Sequence, residues 1–289
     1  MKKTFDVLGA YSQHMLDKRE AEGPKPTACN TMMRISDSGS CKRQISFNAL
    51  KIPEIHRIEA STLLAFSIGT HMHTVVQDAC LDKFGGEYET AIDLSSTGVS
   101  LSGSCDGIIE VEEGKFRLLE IKTVSGFGMK IAKEDDVPKL AHITQAALYA
   151  IGAEKEIDEL MICYIAKESD FRSRTRQGDV IEWVIGLDEH IESLGATPRE
   201  LAERELEKFR QVQADLASDK ISDAICYDDY GVGTLVENPP GYGASKGQPW
   251  NCRYCRYNSI CSVVGPVDAT IASAQYHAEN LMDLAEELV

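Results

Sequence analysis

The chain has 289 residues, 43% of them apolar and 26% charged, with a formal net charge of −16. That suits one large globular domain, or a core domain with helical additions. It leaves no room for a membrane partner, because no run reaches the roughly 18–20 apolar residues of a spanning helix. The acidic excess also excludes a broad phosphate-binding surface, so any nucleic-acid contact needs a local basic cleft or a bound metal.

The first residues carry two lysines but no sustained apolar stretch, so a secretory signal is not expected and the compartment is taken as a reducing cytoplasm. Nine cysteines in such a compartment point to metal ligands before disulfides. Residues 5–20 read as a short helix, 21–40 as a Gly/Pro/Ser-rich loop and 41–50 as a second helical stretch. Over 61–84 apolar residues recur every three to four positions, which predicts a helix stopped by Gly85-Gly86. Strands are expected at 88–94, 99–111 and 115–123, then a helix at 137–151 and strands at 159–166 and 180–187. A long charged helix is expected over 189–218, with Gly195–Pro198 as a candidate break, then a Gly/Pro loop over 236–250 and a last helix from about 272 to 287. The acidic segments 200–207 and 279–287 read as solvated helix faces, or as a surface for a basic protein partner. This order predicts an α/β sandwich around a mixed sheet.

Residues 103–126 carry the most chemistry. Glu120 and Lys122 are two apart on a strand and leave it on one face. Asp106 lies across the expected hairpin. A three-residue loop of Glu112, Glu113 and Gly114 would set it opposite Glu120, whereas a two-residue loop would turn it to the other face. Two adjacent carboxylates repel each other unless a divalent cation, Mg²⁺ or Mn²⁺, sits between them. Such an ion activates water and offsets charge on phosphate oxygens, and Lys122 beside it can hold or deprotonate the water. Glu-x-Lys alone is commonplace on an exposed strand, but Leu118, Leu119 and Ile121 mark this one as buried. Gly69-Thr-His-Met-His73 lies on the preceding helix, and Gln145 and Tyr149 share a face of a later one, with His142 nearby.

In order and spacing, Gly69…His73, Asp106-Gly107, Glu120-Ile121-Lys122 and Gln145…Tyr149 resemble the PD-(D/E)XK nuclease superfamily, and within it the RecB-like branch. The resemblance implies a restriction-endonuclease-like mixed sheet flanked by helices. It implies that His73, Asp106, Glu120 and the Ile121 carbonyl bind Mg²⁺ or Mn²⁺, and that Lys122 positions the attacking water. Gln145 and Tyr149 would orient DNA or the catalytic carboxylate. His71 is the competing histidine, disfavoured by the family spacing.

Cys252, Cys255 and Cys261 form a Cys-x₂-Cys-x₅-Cys run in a polar, Arg- and Tyr-rich setting, unlike Cys80, Cys105 and Cys163, which sit among apolar neighbours. Three thiolates need a fourth to close a metal site. Some RecB-like nucleases, the AddB-type and CRISPR-associated ones, resemble this layout, with one cysteine before the core and three after it holding a [4Fe–4S] cluster. Here the resemblance implies Cys41 with Cys252, Cys255 and Cys261, with Cys29 as runner-up and Zn²⁺ as the alternative metal. Residues 1–60 would then be an N-terminal helical segment with the first cluster cysteine, 61–190 the core, and 191–289 a C-terminal helical segment joined back through the cluster. Arg43, Trp250, Arg253, Tyr254, Arg256 and Tyr257 are candidate contacts to single-stranded DNA, or packing around the cluster. The expected activity is metal-dependent DNA hydrolysis, exonucleolytic on single strands or ends. The alternative is a non-catalytic DNA-binding or assembly subunit on the same fold.

Overall fold

The computed structural model describes residues 7–22, 29, 31–54, 59–227, 231–236, 250–253 and 255–287. Helices α1 (Val7–Glu22), α2 (Lys42–Ala49) and α3 (Ala60–Phe84) precede three antiparallel strands, β2 (Glu87–Asp93), β3 (Leu101–Glu112) and β4 (Lys115–Val124), while a two-residue strand β1 (Met33–Arg34) lies between α1 and α2. Helices α4 (Gly126–Asp135) and α5 (Leu140–Gly152) cross over to β5 (Ile157–Ala166), which runs parallel to β4 and antiparallel to β6 (Val180–Gly186). Helix α6 (Pro198–Ala217), a hairpin of β7 (Ile225–Tyr227) and β8 (Gly233–Leu235), and helices α7 (Trp250–Arg253), α8 (Asn258–Val264) and α9 (Ile271–Glu287) complete the chain. The main sheet is mixed, in the order β1-β3-β4-β5-β6, with β2 also paired to β3.

Strand alternation divides the apolar residues between two faces. Leu118, Leu160, Ile162 and Tyr164 pack beneath α5 and α6, in a core that also takes Ile45 and Phe47 of α2 and Ile260 of α8. On the other face Leu119, Ile121, Cys163 and Ile165 meet Met72, Val76 and Cys80 of α3. Each such side chain fully removed from water contributes about 1.5–3 kcal/mol. Among the described residues no helix is long and apolar enough to cross a membrane.

Three local features differ from the sequence expectation. The β3–β4 turn has two residues, Glu113 and Gly114, with Gly114 left-handed at φ 76°. A bulge between Glu110 and Glu112 offsets the register shift that such a turn imposes, so the ladder runs through Glu110↔Phe116 to Gly107↔Leu119. One step further sets Asp106 level with Glu120, the pairing expected from a longer loop. The helix expected over 189–218 begins only at Pro198. Gly195 turns left-handed at φ 60°, and Thr197 and Glu200 cap each other's backbone N–H groups at 3.2 and 2.9 Å. Helix α4 was not foreseen. Ser125 starts it by accepting a bond from the Gly128 N–H at 3.1 Å, despite the two glycines in its first turn.

Candidate active site

Helix α3 brings an imidazole to the sheet because glycine lets it approach. A Cβ on Gly69 would lie 2.8 Å from the Thr123 hydroxyl oxygen, so only a residue without a side chain permits this contact with β4. One turn on, His73 Nε2 lies 2.8 Å from Asp106 Oδ2 and 3.1 Å from the Ile121 carbonyl oxygen. The same Asp106 oxygen accepts the Ile121 N–H at 2.6 Å. Asp106 thus bonds to β4 through its side chain just beyond the Gly107↔Leu119 pair. His71, the competing histidine, is exposed, with its ring nitrogen on its own helix at the Ser67 carbonyl.

Glu120 is buried, at 1% exposure, and its Oε1 lies 2.5 Å from Lys122 Nζ. Lys122 also donates to Gln145 Oε1 at 3.1 Å, and Gln145 Nε2 donates to the Tyr149 hydroxyl at 3.4 Å. Tyr149 is buried, with its hydroxyl on Gln145. Tyr164 pairs with Lys122 across β4 and β5; its hydroxyl accepts the Lys139 N–H at 2.9 Å and reaches His142 Nδ1 at 2.5 Å. Burial raises the Glu120 carboxyl above the usual carboxylate range, and Lys122 only partly offsets this. Burial alone would lower His73, but the Asp106 carboxylate outweighs it and raises the imidazole. Glu120 Oε2 is buried with no hydrogen-bond partner. An orphaned carboxylate oxygen, an imidazole, a second carboxylate and the Ile121 carbonyl are donors that a divalent cation takes, so the residue types fit Mg²⁺ or Mn²⁺. Glu89 of β2 joins them: its carboxylate, His73 and Asp106 present ligand atoms all within 4.8 Å of one another. Glu89 lies outside the Gly-x-x-x-His, Asp-Gly, Glu-x-Lys and Gln-x-x-x-Tyr patterns.

A second cluster is made of thiols. Cys226 Sγ lies 2.9 Å from Cys252 Sγ and is hydrogen-bonded to Cys41 as well. Cys255 reaches Gln44 Oε1 at 3.7 Å, and Cys261 takes the Arg43 guanidinium at 3.8 Å, so both face α2 beside Cys41. The hydrogen bond from Cys226, and the Gln44 and Arg43 N–H groups, pull the Cys41 thiol down to about 7 against its burial. Cys41, Cys252, Cys255 and Cys261 thus all lie near α2, and Cys226, an isolated cysteine in the sequence, bonds to both Cys41 and Cys252. Among the described residues no three of these sulfurs all lie within 4.8 Å of one another. Cys29, the runner-up, is held instead at Ser102 on β3, with its N–H on the Ser102 hydroxyl at 3.2 Å.

The candidate DNA contacts fare differently. Arg43 is 1% exposed; its guanidinium donates to the Ser222 carbonyl at 2.9 Å, the Pro266 carbonyl at 2.8 Å and the Gly265 carbonyl. Tyr257 is 4% exposed, with its ring edge-on to Phe47 and its hydroxyl on Asn48. Both are packing residues around the thiols, which corrects the DNA-contact expectation for them: neither presents a polar group to a passing strand. Arg256 is engaged with Glu54 and Asn48 at 2.6 Å each. Tyr254 and the side chains of Trp250 and Arg253 lie outside the described residues.

Residues 81–262 match the family model of the PD-(D/E)XK nuclease superfamily. Among solved structures, SSO0001 is 16% identical with a TM-score of 0.49, over 89% of this chain and 97% of its own. The alkaline exonuclease LHK-Exo from Laribacter hongkongensis is 11% identical with a TM-score of 0.42, over 72% of this chain and 95% of its own. LHK-Exo in complex with dAMP is 13% identical with a TM-score of 0.42, over 61% of this chain and 78% of its own. No protein of curated function matches by sequence.

Proposed function

The chain belongs to the PD-(D/E)XK nuclease superfamily, and from that premise we propose that it is a divalent-metal-dependent deoxyribonuclease of the RecB-like branch, acting exonucleolytically on single-stranded DNA or DNA ends. The observation that carries this reading is the meeting of His73, Asp106 and the Ile121 carbonyl, with the half-satisfied Glu120 level with Asp106. In this reading these four residues hold Mg²⁺ or Mn²⁺, which when bound makes water a nucleophile at neutral pH and offsets charge on the phosphate oxygens. The remaining work falls to the chain. Lys122 holds the attacking water and offsets charge as the phosphorus–oxygen bond is made. Gln145, itself steadied by Tyr149, fixes where the Lys122 ammonium points. A net charge of −16 repels DNA in general, so in this reading the bound ion and Lys122 supply the local positive charge that a phosphate needs. Residues 61–190 form the catalytic core in this reading, and the segments 1–60 and 191–289 frame it.

We also assign a [4Fe–4S] cluster to Cys41, Cys252, Cys255 and Cys261, as a staple between the two ends of the chain, with Zn²⁺ as the alternative occupant. The gathered thiols support it. Anaerobically purified protein is analysed for iron, sulfide and zinc, then assayed with Mn²⁺ on end-labelled single-stranded and duplex DNA. Metal-dependent release of nucleotides, lost in Asp106→Ala, Glu120→Ala and Lys122→Ala, is the expected result. Folded protein that binds DNA without cutting it overturns the assignment in favour of an assembly subunit. Cys255→Ser is expected to lose the iron and melt at lower temperature; zinc without iron replaces the cluster and leaves the nuclease standing.

A further inference from the structure

Glu89 sits where a third carboxylate can act on the same ion. Strand β2 pairs with β3 through Tyr88↔Gly107 and Thr90↔Cys105, so Glu89 is level with Asp106, as Asp106 is level with Glu120. Three carboxylates therefore stand on three neighbouring strands at one height of the sheet. Gln77 of α3 ties two of these positions together, donating to Glu89 Oε1 at 2.9 Å and to the Asp106 carbonyl oxygen at 3.0 Å. Glu89 also has a left-handed backbone, φ 50°, within a strand. For a residue with a side chain this is strained, and it persists only where surroundings hold it.

The charges do not balance without a cation. Lys122 is already on Glu120 Oε1, and the second Glu120 oxygen is fully buried without a donor. His73 is the other basic group at Asp106, and its ring nitrogen stands with a Glu89 oxygen and an Asp106 oxygen inside 4.8 Å.

Resting on the nuclease reading, we propose that Glu89 is a further protein ligand of the divalent ion, added to His73, Asp106, Glu120 and the Ile121 carbonyl. A third carboxylate, from the edge strand β2, would add a negatively charged oxygen to the donors that hold the ion. With five protein donors an octahedral ion would keep one open position, so Glu89 would set how tightly the ion is held against how readily it admits water or a phosphate oxygen.

The test is a titration of the metal-free 289-residue chain with Mn²⁺, reading free Mn²⁺ by electron paramagnetic resonance. Glu89→Gln keeps the acceptor for Gln77 and removes only the charge and the metal-binding oxygen. Since Glu89 is exposed, the variant is expected to melt as the wild type does. Its Mn²⁺ affinity is expected to fall at least about tenfold, with a matching rise in the Mn²⁺ needed for half-maximal cleavage. Glu89→Asp, which keeps the carboxylate, should recover part of the loss. If wild-type protein binds Mn²⁺ and cleaves DNA while Glu89→Gln stays within about twofold of its affinity, the assignment of Glu89 is overturned and the nuclease reading stands. A wild-type chain that neither binds Mn²⁺ nor cleaves overturns both.

Discussion

Gly69 of α3 and Thr123 of β4 touch so closely that a methyl group on Gly69 would come within 2.8 Å of the Thr123 hydroxyl. One helical turn separates that contact from His73, so the contact sets the depth of the imidazole. Gly69→Ala is expected to lift α3 by a few tenths of an ångström and to weaken Mn²⁺ binding and cleavage about tenfold. Overall stability should hardly change, since alanine gains about 1 kcal/mol over glycine inside a helix and offsets the strain. Unchanged Mn²⁺ affinity in a folded Gly69→Ala protein would contradict this role.

Gln145 reaches the carboxylate row through Lys122, from whose ammonium it accepts a hydrogen bond. Removing its acceptor in Gln145→Ala frees the ammonium that Glu120 and Gln145 now share. The turnover rate should fall about 10- to 100-fold while Mn²⁺ affinity holds. Tyr149→Phe, which loses only the hydroxyl behind Gln145, should show a smaller loss of the same kind. A drop in metal affinity in either variant would argue instead for a ligand role.

His142 makes the fold acid-sensitive. Burial first, and then the Lys122 and Lys139 charges, lower its pKa from 6.5 to about 3. The unfolded chain takes up the proton near 6.5, and the folded chain only near 3, so the stabilisation is complete above 6.5 and is lost as pH falls through that window. Urea unfolding at pH 7, 6 and 5 should show the decline. His142→Gln, which can still accept from Tyr164, should flatten it by up to about 1.4 kcal/mol per pH unit. An equal slope in both proteins would remove His142 from the account.

Arg43 is a structural cation. Arg43→Met leaves the Ser222, Gly265 and Pro266 carbonyls without their donor. A loss of about 3 kcal/mol is expected in urea unfolding. The salt dependence of DNA binding by the folded variant should match the wild type, because no phosphate contact has been removed. A shallower salt slope would restore the DNA-contact reading of this residue.

The row Asp106, Glu120, Lys122 was legible in the sequence because strand alternation and hairpin register are local rules. Even so, the turn carried two residues and the bulge at Val111 restored the register, an exchange no pattern in Glu-Glu-Gly announces. The motif histidine and Gln145 were legible through helical spacing. Glu89 was not, since one glutamate on an alternating strand looks like any solvated one, and its place depends on how β2 aligns on β3. Cys226 lacks the close spacing of its neighbours and joins them only through the β7–β8 hairpin. The DNA-contact expectation failed at Arg43 and Tyr257 for a related reason. Basic and aromatic residues near cysteines have the same composition whether they face a ligand or the core, and burial alone separates the two cases.

The Arg43 clasp also bears on synthesis. Its three carbonyl partners, at 222, 265 and 266, leave the ribosome some 180 to 220 residues after the arginine itself, whereas every acidic residue of the active site has emerged by residue 120. A growing chain therefore holds a buried-to-be guanidinium and a lone Cys41 in waiting while the sheet is already able to pair. A chain cut short before Gly265 would contain the whole carboxylate row yet lack two of the three carbonyls that hold the Arg43 guanidinium. The carboxylate row is thus complete in the growing chain well before the clasp on α2 can close.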